Sequence, residues 1–360
     1  MNFEYLHLFV KDAEVWRDWF VEKLNFGPLW SQGIGELGEL AVQSGRIVVL
    51  LSSARSGLAE VSQFLQTYSE GIGDVAFRVG DVGAIAARCQ RLGSALSQPL
   101  QRLETPNGDL RWCRVRGWGS VWHTLIESST PFQRPLEQRS SIAVDRGALP
   151  WLGIDHAVLN VAAGELEPAV AWYETHLGFV PQQQFVIETP RSGLRSVVLK
   201  HPDGDATLPI NEPTSPNSQI QEFIDLHGGA GIQHVALKTP SLIETIAALR
   251  ARGLAFLSVP DSYYQQLRAR AGFWHGADDW RAIARQQILV DWPPTAPQTR
   301  LLQTFTQPLF ERPTFFWEFI ERQTQLTAEG WQSAQGFGEG NFQALFEAIE
   351  REQQLRGSLE

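Results

Sequence analysis

Gly228-Gly-Ala-Gly-Ile-Gln-His-Val-Ala-Leu-Lys-Thr239 is the stretch that decides how this chain folds. A glycine-rich turn runs into a short apolar strand, with His234 at the strand's start. An imidazole there needs a partner or a metal. The stretch also has a counterpart earlier in the chain. Gly71-Ile-Gly-Asp-Val-Ala-Phe-Arg78 lies over Gly231-Ile-Gln-His-Val-Ala-Leu-Lys238. After each comes an alanine-rich, arginine-bearing helix pattern, ending at Arg91-Leu-Gly93 or Arg252-Gly253.

Reading outward, the two halves repeat one order. The first half has a strand over 3–10 and a helix over 13–23, with Val15, Trp16, Trp19 and Phe20 on one face. Strands follow over 46–52 and 73–79, helices over 61–68 and 82–92, and closing strands over 110–116 and 121–127. The order then restarts with a strand over 153–161 and a helix over 166–176. Leu177-Gly-Phe-Val-Pro181 leaves that helix much as Leu24-Asn-Phe-Gly-Pro28 leaves the first. Near the end, Phe316-Trp-Glu-Phe-Ile-Glu321 lies over Trp122-His-Thr-Leu-Ile-Glu127.

This is a duplication, and it sets the fold class. Each unit strings strands around a helix, which predicts α+β architecture with a curved sheet forming a half-open barrel around a pocket. The expected layout is a first module over 1–130, a polar, proline-bounded linker over 131–150, and a longer second module over 151–360. The second module adds a partly helical stretch over 262–285 and a terminal helix over about 341–354. Residues 291–300, with three prolines, read as a rigid surface loop.

Composition narrows the function. The formal charge is -10 and basic residues form no block, which argues against nucleic acid or an anionic membrane as partner. The start, Met1-Asn-Phe-Glu-Tyr5, shows no signal-peptide pattern, and no apolar run has membrane-spanning length, so the expected location is cytoplasmic. Cys89 and Cys113 have no metal-type spacing and read as buried or free thiols in a reducing compartment.

Three strand positions carry the chemistry. The second half has His156, His234 and Glu318; the first half is read as having His7, Asp74 and Thr124 in their places. Two imidazoles and one carboxylate on separate strands, with open positions opposite, form the ligand set of non-haem Fe(II) oxygenases. A lone histidine on an apolar strand is ordinarily a hydrogen-bonded core residue. Glu318 is different. It sits among Phe315, Phe316, Trp317 and Phe319, and an unpaired buried carboxylate is costly enough to demand a cation or a proton. His123, His176, His201, His227 and His275 read as surface or structural residues.

Six motifs then carry a resemblance. They are Leu208-Pro-Ile-Asn-Glu-Pro213, Ser218-Gln-Ile-Gln221, His227-Gly-Gly-Ala-Gly-Ile-Gln-His-Val-Ala-Leu237, Val259-Pro-Asp-Ser-Tyr-Tyr264, Leu302-Gln-Thr-Phe-Thr-Gln-Pro308 and Gly336-Phe-Gly-Glu-Gly-Asn-Phe342. In this order, from about Trp151 to Arg356, the chain resembles the 4-hydroxyphenylpyruvate dioxygenase family of the glyoxalase–bleomycin-resistance superfamily. The resemblance implies two vicinal-oxygen-chelate modules of βαβββ type, with a C-terminal gating helix. It implies Fe(II) on His156, His234 and Glu318. It places 4-hydroxyphenylpyruvate against Ser196, Asn211, Gln219, Gln233, Gln303, Phe305, Phe316, Phe337, Asn341 and Phe342, with no catalytic side chain beyond the ligands.

The same resemblance implies conversion of 4-hydroxyphenylpyruvate and O2 to homogentisate and CO2, by decarboxylation, ring hydroxylation and side-chain migration. Such a product serves tyrosine catabolism or prenylquinone biosynthesis. By family analogy the enzyme is a dimer or tetramer. Neutral amides suit a phenol and phenylalanines suit its ring. Adjacent Gln233 and His234 would both reach one site only through a bulge. Three other readings compete: a 4-hydroxymandelate synthase with the same ligands and substrate, an extradiol ring-cleaving dioxygenase, and a non-catalytic binding protein of the same fold.

Overall fold

The computed structural model describes residues 1–29, 40–94, 96–105, 108–128, 149, 151–273, 277–293, 296–327 and 330–357. The linker expected over 131–150 lies outside these residues except for Leu149, and so does His275.

The first module runs β1 (Asn2–Phe9), α1 (Ala13–Leu24), β2 (Gly27–Leu29), β3 (Leu40–Ser44), β4 (Ile47–Ser52), α2 (Ala59–Thr67), β5 (Gly71–Arg78), α3 (Val82–Arg91), β6 (Leu96–Thr105), β7 (Gly108–Arg116) and β8 (Trp122–Ser128). The second runs β9 (Gly153–Asn160), α4 (Leu166–Trp172), β10 (Val180–Glu188), β11 (Gly193–Lys200), β12 (Thr207–Pro213), α5 (Gln219–His227), β13 (Gly231–Lys238), α6 (Leu242–Ala251), α7 (Asp261–Ala269), α8 (Ala277–Gln286), β14 (Leu289–Asp291), β15 (Leu301–Phe305), β16 (Phe316–Arg322), β17 (Thr324–Thr327), β18 (Gly330–Ser333) and α9 (Glu339–Arg356).

The duplication is complete at the level of topology. The first sheet has the order β2-β3-β4-β1-β5-β8-β7-β6, and the second β10-β11-β12-β9-β13-β16-β15-β14. Strand for strand these are one arrangement. In each, the first strand of the module pairs in parallel with one neighbour and antiparallel with the other, and the two central strands β5/β8 or β13/β16 run parallel. The expected α+β class and half-open sheet architecture hold. The strands that periodicity alone passed over, among them β3, β6 and β10 to β12, complete the two sheets.

Local chemistry fixes the helix ends. Asp12 Oδ1 accepts from the backbone N–H groups of Glu14 and Val15 at 3.0 and 3.2 Å, starting α1. Gly228 ends α5 at φ 94, and a Cβ there would stand 2.7 Å from the Thr67 carbonyl oxygen of the first module. The opening glycine turn is therefore a close approach between modules as well as a helix stop.

One apolar core runs through both modules, from Leu6 and Phe77 to Leu237 and Trp317. Backbone hydrogen bonds cross between them, including Ser69 N to His227 O and Ser120 N to Ala230 O, each 2.9 Å. The Tyr173 hydroxyl of the second module lies 2.9 Å from Nε2 of His123 in the first. Cys89 and Cys113 are buried free thiols. The expected surface loop over 291–300 is corrected in part. Trp292 is fully buried, with its indole N–H on Ala271 O at 2.9 Å and the Arg270 guanidinium over its ring. Its apolar area, not the prolines, decides its place. No helix among the described residues is long and apolar enough to cross a membrane.

Candidate active site

Three neighbouring strands of the second sheet, β9, β13 and β16, supply His156, His234 and Glu318. The register pairs His156 with Ala236, and Ala236 with Glu318, so histidine and carboxylate flank one small residue. The imidazole Nε2 atoms lie 3.1 Å (His156) and 3.5 Å (His234) from the same oxygen, Glu318 Oε2. One ligand atom from each side chain fits within 4.8 Å of the others, and all three residues are buried.

Two bulges aim these side chains. Pairing between β13 and β9 slips between Ile232 and His234, leaving Gln233 as the extra residue. It slips again between Ala236 and Leu237, which leaves Asp155 extra on β9. A bulge re-aims neighbouring side chains and frees them from strict alternation. Asp155 can thus lie beside His156, accepting from its Nδ1–H at 3.0 Å. The bulge required for Gln233 and His234 to share a site is present, although Gln233, itself buried, does not line the cavity.

The electrostatics follow from burial opposed by neighbours. Burial works against a charge on His156, but Glu318 and Asp155 outweigh it and raise its pKa to about 9. Burial likewise opposes ionisation of Glu318, yet the two imidazoles bring its carboxyl down to about 2. His234 goes the other way: burial lowers it, and Glu318 only partly compensates. Its Nδ1 has no partner among the described residues. Its ring stacks on Phe316, centroids 4.7 Å apart.

This donor set fits a divalent first-row metal. Two imidazole nitrogens and a carboxylate oxygen converge in a buried space where the carboxylate otherwise relies on one protonated histidine.

The cavity beside the three is lined by Val158, Pro209, Gln303, Phe305, Phe337, Asn341, Phe342 and Leu345. Of the residues expected to contact substrate, Gln303, Phe305, Phe337, Asn341 and Phe342 are brought to it. Gln303 donates to Glu318 Oε1 at 2.8 Å and accepts from Asn341 Nδ2 at 2.8 Å. Phe316 does not line the cavity and lies behind it, stacked on His234 and edge-on to Phe305. Ser196, Asn211 and Gln219 are buried on β11, β12 and α5 and do not line this closed cavity; Ser196 pairs with Asn211 in the sheet, and Asn211 donates to Asn160 Oδ1 at 3.2 Å. Ser196 Oγ, Asn211 Oδ1 and Gln219 Oε1 lack partners among the described residues, capacity left for a ligand.

The cavity volume is about 10 Å³. That is room for about one water molecule. A phenylpyruvate enters only if lining residues move, and four of them, Phe337, Asn341, Phe342 and Leu345, belong to α9 or its approach.

Sequence reading missed Asp155, Val158, Pro209 and Leu345. The signal for Asp155 was its charge inside an otherwise apolar strand; the apolar residues carried none. It also misplaced one equivalence. In the first module Tyr5 pairs with Ala76, as His156 pairs with Ala236, so Tyr5 and not His7 is the counterpart of His156. A two-residue slip keeps the same face of the strand, so alternation could not expose it. His7 instead bonds Ser52 Oγ at 2.8 Å.

The first module's version of the site is filled by an ion pair. Asp74 stands where His234 does, and Thr124 where Glu318 does. Arg114, in the register position of Phe305, places Nε 2.9 Å from Asp74 Oδ2. Thr124 donates to Asp74 through its hydroxyl at 2.6 Å and its N–H at 3.0 Å.

Comparison with known proteins gives a consistent result. Residues 153–279 match the family described as the Glyoxalase/Bleomycin resistance protein/Dioxygenase superfamily. A 4-hydroxyphenylpyruvate dioxygenase of Caenorhabditis briggsae is 35% identical over 99% of this chain and 93% of its own length. An uncharacterized protein of Synechocystis is 36% identical over 97% of both. Among solved structures, a triple mutant of 4-hydroxymandelate synthase from Streptomyces coelicolor superposes with a TM-score of 0.82, at 25% identity over 98% of each chain.

Proposed function

This chain belongs to the 4-hydroxyphenylpyruvate dioxygenase family and converts 4-hydroxyphenylpyruvate and O2 into homogentisate and CO2; we propose that His156, His234 and Glu318 hold the Fe(II) that this reaction needs. The observation that carries the assignment is Glu318. It is buried between two imidazoles that both aim Nε2 at one of its oxygens. Bound there, Fe(II) supplies O2 activation and a chelation point for the substrate's oxo acid.

The chain's own residues do the rest. Gln303 holds Glu318 by one oxygen, leaving the other for the metal. Asp155 holds His156 in the tautomer that presents Nε2. Phe305, Phe337 and Phe342 give the ring an apolar wall. The free acceptors on Asn211 and Gln219 and the Ser196 hydroxyl orient the phenol without ionising it. Closure by α9 excludes water from the oxidising step. We assign the metal module to 151–360 and the scaffold module to 1–130. We further propose a cytoplasmic enzyme, a dimer or tetramer by family analogy, whose product serves tyrosine catabolism or prenylquinone biosynthesis.

Hydroxymandelate synthesis is the second reading, favoured by the structural likeness to a synthase of that kind. Product analysis separates the two. Iron-loaded protein is incubated with 4-hydroxyphenylpyruvate and O2, and the aromatic product is identified by chromatography. Homogentisate is expected, and its formation should cease in Glu318→Ala. Hydroxymandelate would reassign the pocket, and no turnover with no iron retained would sink the enzyme reading.

A further inference from the structure

A single arginine ties the back of one ligand to the start of the gating helix. Asp155, which accepts from His156 Nδ1–H, receives Arg322 on both oxygens: Nε at 2.9 Å and Nη2 at 2.7 Å. Lys238 Nζ approaches Asp155 at 3.3 Å. The remaining edge of the guanidinium points away from the carboxylate. Its Nη1 donates to Gly336 O at 2.8 Å and to Ala334 O at 3.2 Å. The next residue, Phe337, lays its ring 5.1 Å from His156, with the Arg322 guanidinium carbon 5.8 Å from the same ring.

We infer that Arg322 is a positioning residue that couples closure of the segment 334–342 to the seating of His156. The inference rests on the reading of His156 as a metal ligand. A guanidinium is a rigid planar fork, so its two edges cannot serve two partners independently. When the segment lifts, the carbonyls of Ala334 and Gly336 leave one edge. The fork then loses the anchor that sets its plane, and Asp155 loses its fixed angle to His156. Coupling of this kind is reciprocal: a filled metal site tightens the segment, and a closed segment tightens the metal site.

The test uses the full chain and Co(II), whose absorption reports ligation. Hydrogen exchange of residues 334–342 is followed with and without Co(II). In the unmodified protein, Co(II) should slow exchange there about fivefold or more. Arg322→Met should bind Co(II) about tenfold more weakly, and the slowing should disappear. Arg322→Lys keeps a charge for Asp155 but cannot also serve two carbonyls. It should therefore bind Co(II) within about threefold of the parent and still lose the slowing. Should Arg322→Met not fold, Arg322→Lys and the charge-balanced double variant Asp155→Asn/Arg322→Met take its place.

A merely structural arginine would lower the stability of the metal-free protein and leave the Co(II)-dependent difference intact. Parent-like slowing in Arg322→Lys and in whichever charge-removing variant folds therefore overturns the inference. Co(II) uptake that is unchanged by His156→Ala would overturn the ligand reading itself, and this coupling with it. Uptake that depends on His156 but never slows exchange at 334–342 overturns the coupling alone.

Discussion

Gln303 Nε2 donates to Glu318 Oε1 across 2.8 Å, and the same amide's oxygen accepts from Asn341 Nδ2 at the base of α9. One side chain on β15 therefore holds a candidate ligand and the gating helix together. The chain extends further, since the Tyr263 hydroxyl on α7 lies 3.0 Å from Asn341 Oδ1. Replacing Gln303 by Leu takes away the donor to Glu318 Oε1 and leaves Asn341 Nδ2 with only its long contact to Leu301 O at 3.5 Å, in a buried site. We expect Fe(II) affinity to fall about tenfold and kcat to fall with it. Iron titration beside steady-state kinetics checks this. If Gln303 serves the substrate alone, KM rises and iron affinity stays at the parent value.

The first module makes the opposite expectation. Asp74 and Arg114 fill the place that the second module gives to its ligands, and both are nearly inaccessible. Removing one partner of a buried pair leaves the other charge uncompensated, which costs about 3 kcal/mol or more. Asp74→Asn should therefore lower the unfolding free energy measured in urea by that amount, lessened by the contact of Arg114 with Glu60. Iron content of the folded fraction should not change. A loss of iron in this variant would show that the first module is more than scaffold.

The duplication, the α+β class and the three strand positions were legible because they rest on residue type and spacing. Glu318 among aromatic residues and His234 after a glycine turn are visible in any reading of the chain. Register was not legible. The bulges at Asp155 and Gln233 depend on which backbone groups pair, and a slip by two residues leaves the apolar pattern unchanged, which is how His7 came to stand in for Tyr5. Arg322 escaped notice because its partners come from β9 and from the approach to α9, contacts between segments far apart in the chain.

Two histidines at the boundary between the modules set an acid limit on stability. Burial lowers His123 and His227 to about 4 each. His123 is held neutral, its Nδ1 donating to Val75 O at 3.0 Å and its Nε2 taking the Tyr173 hydroxyl. His227 Nε2 lies 3.1 Å from Ser120 Oγ. Unfolded, each would titrate near 6.5, so between pH 6.5 and 4 the unfolded chain binds more protons. Their contribution is complete above about 6.5 and is lost as the pH falls toward 4, up to about 3 kcal/mol each. Denaturant unfolding at pH 7.5 and pH 5 should show the drop, and His123→Asn should flatten it. An equal slope in that variant would acquit His123.

Gly338 permits a sharper test of the gate. It caps α9 at φ 69, and a Cβ would meet Gln303 Oε1 at 2.8 Å, an atom already fixed by Asn341. Gly357 ends the same helix at φ 73 with nothing near. Alanine at either position bears the same left-handed backbone cost, about 1 kcal/mol. Only at Gly338 does it also push on the amide that holds Glu318. We expect Gly357→Ala to keep full kcat, and Gly338→Ala to lose about tenfold in kcat, a loss equal to about 1.4 kcal/mol at the barrier. Hydrogen exchange over 339–345 should quicken in Gly338→Ala alone. If both variants lose kcat alike, helix stability and not the seat of the gate controls turnover. If neither does, closure at Gly338 is not part of the rate-limiting path.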